Sequence, residues 1–101
     1  MIELLPDEIA RTLPALYAAE KEADPLVRVK LFTPDSSWTW YVVEYDPEER
    51  LLFAFVVGHE AELGYVSLEE LQSIRGPLGL PIERDLSFTP TPLSRIKAQR
   101  S

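Results

Sequence analysis

Apolar and polar positions change period several times along the chain, and each change marks an element. Pro6 suits a first helical position, where Asp7 and Glu8 complement the positive end of a helix dipole. Ile9, Leu13, Leu16 and Tyr17 then recur at i, i+4, i+7 and i+8, which is one face of a helix. Pro14 interrupts that face, so the pattern predicts two short helical pieces with a break near Thr12 and Leu13. The charged stretch from Glu20 ends at Pro25 and reads as a loop. Val27, Val29 and Leu31 alternate with Arg28 and Lys30, the period of a half-exposed strand. The next five residues, Thr33-Pro34-Asp35-Ser36-Ser37, are turn formers.

From Trp38 to Tyr45 the chain is apolar on both faces, because Trp38, Trp40 and Val42 alternate with Tyr41, Val43 and Tyr45. Asp46-Pro47-Glu48-Glu49-Arg50 makes a turn, and Leu51 to Val57 is apolar without interruption. Two neighbouring strands covered on both faces and joined by a short loop form the centre of an antiparallel sheet. Gly58 to Gly64 reads as a loop, followed by a short strand at Tyr65 and Val66. Ser67-Leu68-Glu69-Glu70 fits a capping box, and the helix after it buries Leu68, Leu71 and Ile74 before stopping at Gly76-Pro77. Ile82, Leu86 and Phe88 alternate with Glu83, Asp85 and Ser87, as an edge strand would. Thr91-Pro92 opens a last short helix, after which the end of the chain frays. The fold class that follows is α+β: a small antiparallel sheet of roughly three to five strands flanked by short helices.

Composition narrows this further. The 101 residues make a single domain, since domains run to roughly 100–150 residues. With 46% hydrophobic and 27% charged residues the chain has enough apolar surface to fold. It contains no cysteine, which excludes disulfides, cysteine-based zinc sites and a thiol nucleophile. The longest apolar run is far shorter than the roughly 20 residues a membrane helix needs. Glu3, Asp7 and Glu8 stand where a secretory signal carries Lys or Arg, so a cytoplasmic protein with no membrane partner is expected.

The net charge of −7 sits almost wholly in one segment. Between Glu44 and Glu70 there are eight acids (Glu44, Asp46, Glu48, Glu49, Glu60, Glu62, Glu69 and Glu70) and one base, Arg50. From Leu71 onward the five bases Arg75, Arg84, Arg95, Lys97 and Arg100 outnumber Glu83 and Asp85. Such a balance argues against non-specific duplex DNA binding, which depends on net positive fields. An acidic segment either keeps a small protein soluble or meets a basic partner.

Most catalytic patterns fail on spacing. His59-Glu60 begins like a zinc-protease helix, but Leu63 stands where the second histidine belongs. Asp35 followed by Glu44 and Asp46 lacks the lysine that a metal-dependent nuclease core requires. No Gly-x-Ser-x-Gly is present, and His59, the sole histidine, has no evident orienting acid. Glu44, Asp46, Glu60 and Glu62 would converge only if the loops flanking the two central strands lie at neighbouring ends, and they would then suit Mg²⁺ or Ca²⁺. No cofactor is otherwise implied.

Two constellations carry binding chemistry. Trp38 and Trp40 lie on one side of a strand, where exposed rings would stack on bases and buried rings would fill the core. The shortage of other large side chains favours the core. Arg84, sharing a face with Ile82 and Leu86, needs a carboxylate partner or a bound anion, with Arg75, Glu83 and Asp85 nearby in sequence.

At these same residues the chain resembles a bacterial family of small proteins classed as a domain of unknown function and associated with plasmids, phages and integrative elements. The matching stretches are Leu13-Pro14-x-Leu16-Tyr17, Lys30-Leu31-Phe32-Thr33-Pro34-Asp35-Ser36-x-Trp38-Thr39-Trp40-Tyr41, Leu63-Gly64-Tyr65-x-Ser67-Leu68-x-Glu70-Leu71, and Arg75-Gly76-Pro77-Leu78-Gly79-Leu80-Pro81-Ile82-Glu83-Arg84-Asp85. The resemblance implies a setting in mobile DNA and no particular reaction. Lys30, Asp35, Trp38, Trp40, Tyr65, Arg75, Glu83, Arg84 and Asp85 are the candidate binding residues within these stretches. The leading expectation is a non-enzymatic accessory binding protein whose acidic face meets a basic protein partner. Single-stranded nucleic acid held by Trp38, Trp40 and a few convergent bases is the alternative, and a metal-dependent enzyme comes third. Oligomeric state stays open, since the strand over 26–32 is either an unprotected sheet edge or a covered one.

Overall fold

A computed structural model describes residues 3–18 and 22–99. Helix α1 (Asp7–Ala10) is followed by strands β1 (Leu26–Val27), β2 (Val29–Phe32), β3 (Thr39–Asp46), β4 (Leu51–Val57) and β5 (Ala61–Ser67). Helix α2 (Leu68–Ser73), strands β6 (Glu83–Arg84) and β7 (Thr91–Pro92), and helix α3 (Leu93–Gln99) complete the chain. The main sheet is antiparallel throughout, in the order β5-β4-β3-β2-β6, and β1 with β7 forms a separate two-stranded ladder. The architecture is α+β, as the pattern predicts. No helix among the described residues is long and apolar enough to cross a membrane.

The two-sided apolar runs form the central hairpin because each face of β3 and β4 packs under a different part of the chain. On the first face, Val29, Leu31, Trp40, Val42, Leu52 and Ala54 pack with Leu4, Leu5 and Leu13 from the N-terminal segment and with Leu68 and Leu71 of α2. On the second, Val43 and Phe55 pack with Val27 and with Leu93 and Ile96 of α3. Each fully buried aliphatic chain contributes about 1.5–3 kcal/mol of transfer free energy.

A β-bulge between Val42 and Glu44 gives β3 one more residue than β4. The extra residue reverses the alternation, so Val43 and Glu44 both reach the second face, and Glu44 is only 3% exposed. Its carboxylate accepts a hydrogen bond from the Tyr17 amide at 3.0 Å. That contact explains why the helical spacing of Leu16 and Tyr17 does not become a helix. Tyr17 adopts a left-handed φ of 70°, which aims its amide at the buried carboxylate.

Ser67 caps α2 as its motif predicts, its hydroxyl accepting from the Glu70 amide at 3.3 Å. Ile74 leaves the helix in extended conformation and is exposed rather than buried. Two further expectations need revision. The stretch read as a loop up to Gly64 is already strand from Ala61. The extended segment 82–88 forms a strand with β2 at Glu83 and Arg84, followed by one bond from the Asp85 amide to the Lys30 carbonyl. The expectations for Glu20 and for the fraying last two residues lie outside the described residues.

Helix α3 is tethered by its first turn. The Leu93 amide donates to the Pro25 carbonyl at 2.9 Å, and the amide and hydroxyl of Ser94 both donate to the Asp24 carboxylate. The Ser94 hydroxyl, and then its amide, hold the Asp24 carboxyl below its ordinary value of 3.8. A carboxyl depressed by folding stabilises the native state at pH above its unfolded value and loses that contribution as pH falls through the folded one. Thermal unfolding from neutral to acid pH is therefore expected to show part of the acid sensitivity below 3.8. In the Asp24→Asn variant that part is absent; an identical acid limb in both proteins would show that the tether does not form in solution.

Candidate functional site

Two loops bring most of the chemistry-bearing residues together at one end of the sheet. The β2–β3 loop, from Thr33 to Trp38, is closed on itself: the Trp38 amide donates to the Thr33 hydroxyl at 3.0 Å, and the Thr33 amide to the Trp38 carbonyl at 3.0 Å. The connector after α2 docks against it through Asp35, whose Oδ2 accepts from the Leu78 amide at 2.8 Å. Oδ1 of Asp35 is buried without a hydrogen-bond partner. The approach is so close that a Cβ on Gly76 would lie 1.7 Å from that oxygen, so only glycine fits there. Thr33, Ser36, Trp38, Arg75 and Pro77 are among the residues lining the shallow cleft of about 310 Å³ between the two loops.

The burial reading holds for one tryptophan and only in part for the other. Trp40 is 5% exposed and belongs to the first-face core. Trp38 is half-buried, with its ring 6.1 Å from that of Trp40 at an interplanar angle of 24° and edge-on to His59 at 5.7 Å. The backbone of Gly58 completes its enclosure, since a Cβ there would meet three ring carbons at 2.4–2.5 Å. Trp40 thus offers no open ring to a base.

The candidate cations are also engaged. Lys30 pairs with Asp85 at 3.8 Å and lies 5.9 Å from the centre of the Tyr41 ring. Arg75 turns back on the end of α2, donating to the carbonyls of Gln72 and Ile74 at 3.0 and 2.8 Å. Arg84 lies opposite Leu31 and donates to the backbone carbonyl of Glu3 rather than to a carboxylate. Glu83 lies opposite Phe32. Lys30 lines a cleft with Trp38, Arg75 lines another with Trp38 and Trp40, and Arg84 lines a third with neither tryptophan.

The four acids of the metal reading are not brought together. Glu44 and Asp46 sit at the hairpin end of β3, whereas Glu60 and Glu62 follow the opposite end of β4. Seven residues of β4 separate those ends, which is about 23 Å of strand. The expectation of neighbouring ends fails because the two loops belong to successive hairpins, which alternate sides of a meander. Among the described residues no group of three or more histidines and acids is placed to hold a metal ion.

Tyr65, the remaining candidate, lies on the outermost strand. The residue is 51% exposed, and its ring packs 5.0 Å from that of Phe53 and 6.3 Å from that of Tyr17. Leu63, on the same face, is 44% exposed. Bonds at the two ends of the β4–β5 ladder fix its hydrogen-bonding phase: the Leu68 amide donates to Arg50 and the Gly58 amide to Glu60, both at 2.9 Å. With one-to-one pairing between them, Glu62, Gly64 and Val66 direct their backbone groups at β4. The N–H and C=O of Ala61, Leu63 and Ser67 point the other way, off the edge of the sheet. Acids stand at both ends of this edge: Glu60 and Glu62 at one, and Glu69 and Glu70 beside the Glu48–Glu49 turn at the other. The Leu63–Tyr65 alternation is visible in the sequence, but Gly58 and Gly64 around it read as loop.

A compact α+β domain with an exposed edge strand and a loop pair locked by close glycine contacts is the class these features define. The family model described as Protein of unknown function (DUF2958) matches residues 4–99, and the chain belongs to that family. No curated protein and no solved structure matches it.

Proposed function

We propose that the protein is a non-enzymatic accessory binding protein of mobile DNA that captures an extended, basic segment of a protein partner along β5. The observation that carries this reading is the outer strand itself. Seven residues long, it holds backbone donors and acceptors at Ala61, Leu63 and Ser67 directed outward. The exposed Leu63 and Tyr65 stand on the same residues' face, and acids bracket both ends. A partner strand would gain main-chain hydrogen bonds from the edge, apolar contacts from alternate side chains and charge complementarity from its flanks. Edge strands are commonly blunted by lysine or proline, and Ala61–Ser67, last in the sheet order among the described residues, contains neither. The mobile-DNA setting rests on the family resemblance. Trp40 lies in the core, so single-strand stacking, the second reading, would rest on the half-buried Trp38.

A peptide of alternating apolar and polar residues with lysines at both ends tests this by NMR titration of the labelled protein. Saturable shift changes centred on Ala61–Ser67 are expected, along with weaker binding when glutamates replace the lysines. Leu63→Pro is the informative variant, because the amide it removes bonds to nothing in β4. It should cut affinity about tenfold or more while leaving the fold intact, the loss of one edge bond and its register being worth at least about 1.4 kcal/mol. Binding that is indifferent to both the flanking charge and Leu63→Pro would reject the edge as the site.

A further inference from the structure

Just past β6 the Asp85 amide donates to the Lys30 carbonyl at 2.9 Å, and beside that contact a separate cleft of about 230 Å³ opens between the start of β2, the end of α1 and the segment after β6. Two guanidinium-bearing residues line it, Arg28 and Arg84. Arg28 is half-buried, and its Nε is a buried donor with no hydrogen-bond partner. An unanswered charged donor inside a protein carries a desolvation cost that a bound acceptor would remove. Arg84 has one donor committed to the Glu3 carbonyl, and a guanidinium carries five. The one acid on the cleft wall, Asp85, is already satisfied: one oxygen accepts from the Ser87 amide at 2.9 Å and the other faces Lys30 at 3.8 Å. The lining therefore sets two guanidiniums against one carboxylate, and that carboxylate is shared with Lys30 outside the cleft. Its remaining wall includes Ile9, Leu86 and Phe88, an apolar shelf beside the charged one.

We infer that this cleft binds the dianionic phosphate group of a small phosphate monoester, with Arg28 and Arg84 as its ligands and Leu86 and Phe88 supporting the organic part. Paired guanidiniums match a tetrahedral dianion in charge and in their forked donors, whereas a carboxylate or a phosphodiester supplies a single negative charge. The site is separate from β5, on the opposite edge of the sheet.

The arginine Nε–Hε signals of the whole labelled chain report directly on the ligands proposed. They would be followed at about pH 8, where a phosphate monoester carries close to two charges, during titrations with phenyl phosphate, inorganic phosphate, dimethyl phosphate and sodium chloride at matched ionic strength. The Arg28 and Arg84 signals should move saturably with the first two ligands, and phenyl phosphate should bind more tightly because the apolar shelf contributes. Arg28→Gln should weaken phenyl phosphate about tenfold or more, the worth of one charged hydrogen bond. Leu86→Asp serves as a second variant should the first unfold, since Leu86 is 69% exposed and an acid there repels the ligand without touching the core. Equal response to dimethyl phosphate or chloride would overturn the dianion site. So would shifts confined to other arginines, or unchanged binding in a folded variant.

Discussion

Leu31→Ala should lower the unfolding free energy by about 3 kcal/mol, within the range of roughly 2–5 kcal/mol for a buried leucine that leaves a cavity. Leu31 is wholly inaccessible and lies mid-sheet, opposite Trp40 on β3 and Arg84 on β6. Its neighbours on the first face are held from two sides, by the ladder within the sheet and by the N-terminal segment and α2 above it. Collapse into the vacated space would require the sheet or its cover to move, so most of the cavity persists. Against a total stability of about 5–15 kcal/mol this is a large fraction. Urea unfolding should show a lower midpoint with an unchanged slope. A loss below about 1 kcal/mol, the scale of a well-accommodated swap, would mean that the first-face core is looser than its burial indicates.

The second large effect is expected at Gly58→Ala. The added methyl would sit 2.4–2.5 Å from three carbons of the Trp38 ring. An indole cannot give way as a lysine tail does, because Trp40 lies against one face of it and His59 meets it edge-on. Either Trp38 swings into water or the β4–β5 turn opens, and both cost about 1–3 kcal/mol as overpacking does. Fluorescence distinguishes this from a general loss of stability: the emission of the folded variant should shift to longer wavelength as Trp38 meets solvent. Unchanged emission together with unchanged stability would show that the ring does not rest on the Gly58 backbone.

How much of this was legible in the sequence depended on whether a signal was local. The hairpin of β3 and β4 was readable because runs apolar on both faces have few other places to lie. Helix α2 was readable because Ser67 and Glu70 carry their own capping chemistry three residues apart. β5 was half hidden, since an edge strand with one face in water needs little apolar content, and its glycines resemble a loop. The bulge at Val42–Glu44 left no trace, because one extra valine in an apolar run changes no local pattern while reversing the direction of every later side chain. Tyr17 shows the converse. Its spacing was helical, but a carboxylate 27 residues away fixed its backbone.

The site was less legible than the fold for the same reason. Asp35 and Gly76 are each ordinary turn residues, and only folding shows that one exists to admit the other. Burial of Trp40 could be argued from the need to fill a small core, but nothing in the chain distinguished it from Trp38, two residues earlier. Arg28 read as the outward position of a regular alternation. The break between β1 and β2 at that residue places it in a cleft beside Arg84 instead, and the spacing of charges carried no sign of it.

Helix α3 follows every strand in chain order, and that order sets a schedule for synthesis. When β5 has left the ribosome, α2 and the first-face cover are complete or nearly so, but Leu93 and Ile96 are still to come. At about 5–20 residues per second the second face, with Val43 and Phe55, waits roughly one to six seconds for its lid. During that interval the nascent sheet is a one-sided sandwich with an aromatic surface and a free edge. Slower decoding of the segment between Ser67 and Leu93 would lengthen the exposure without altering a single contact of the finished protein.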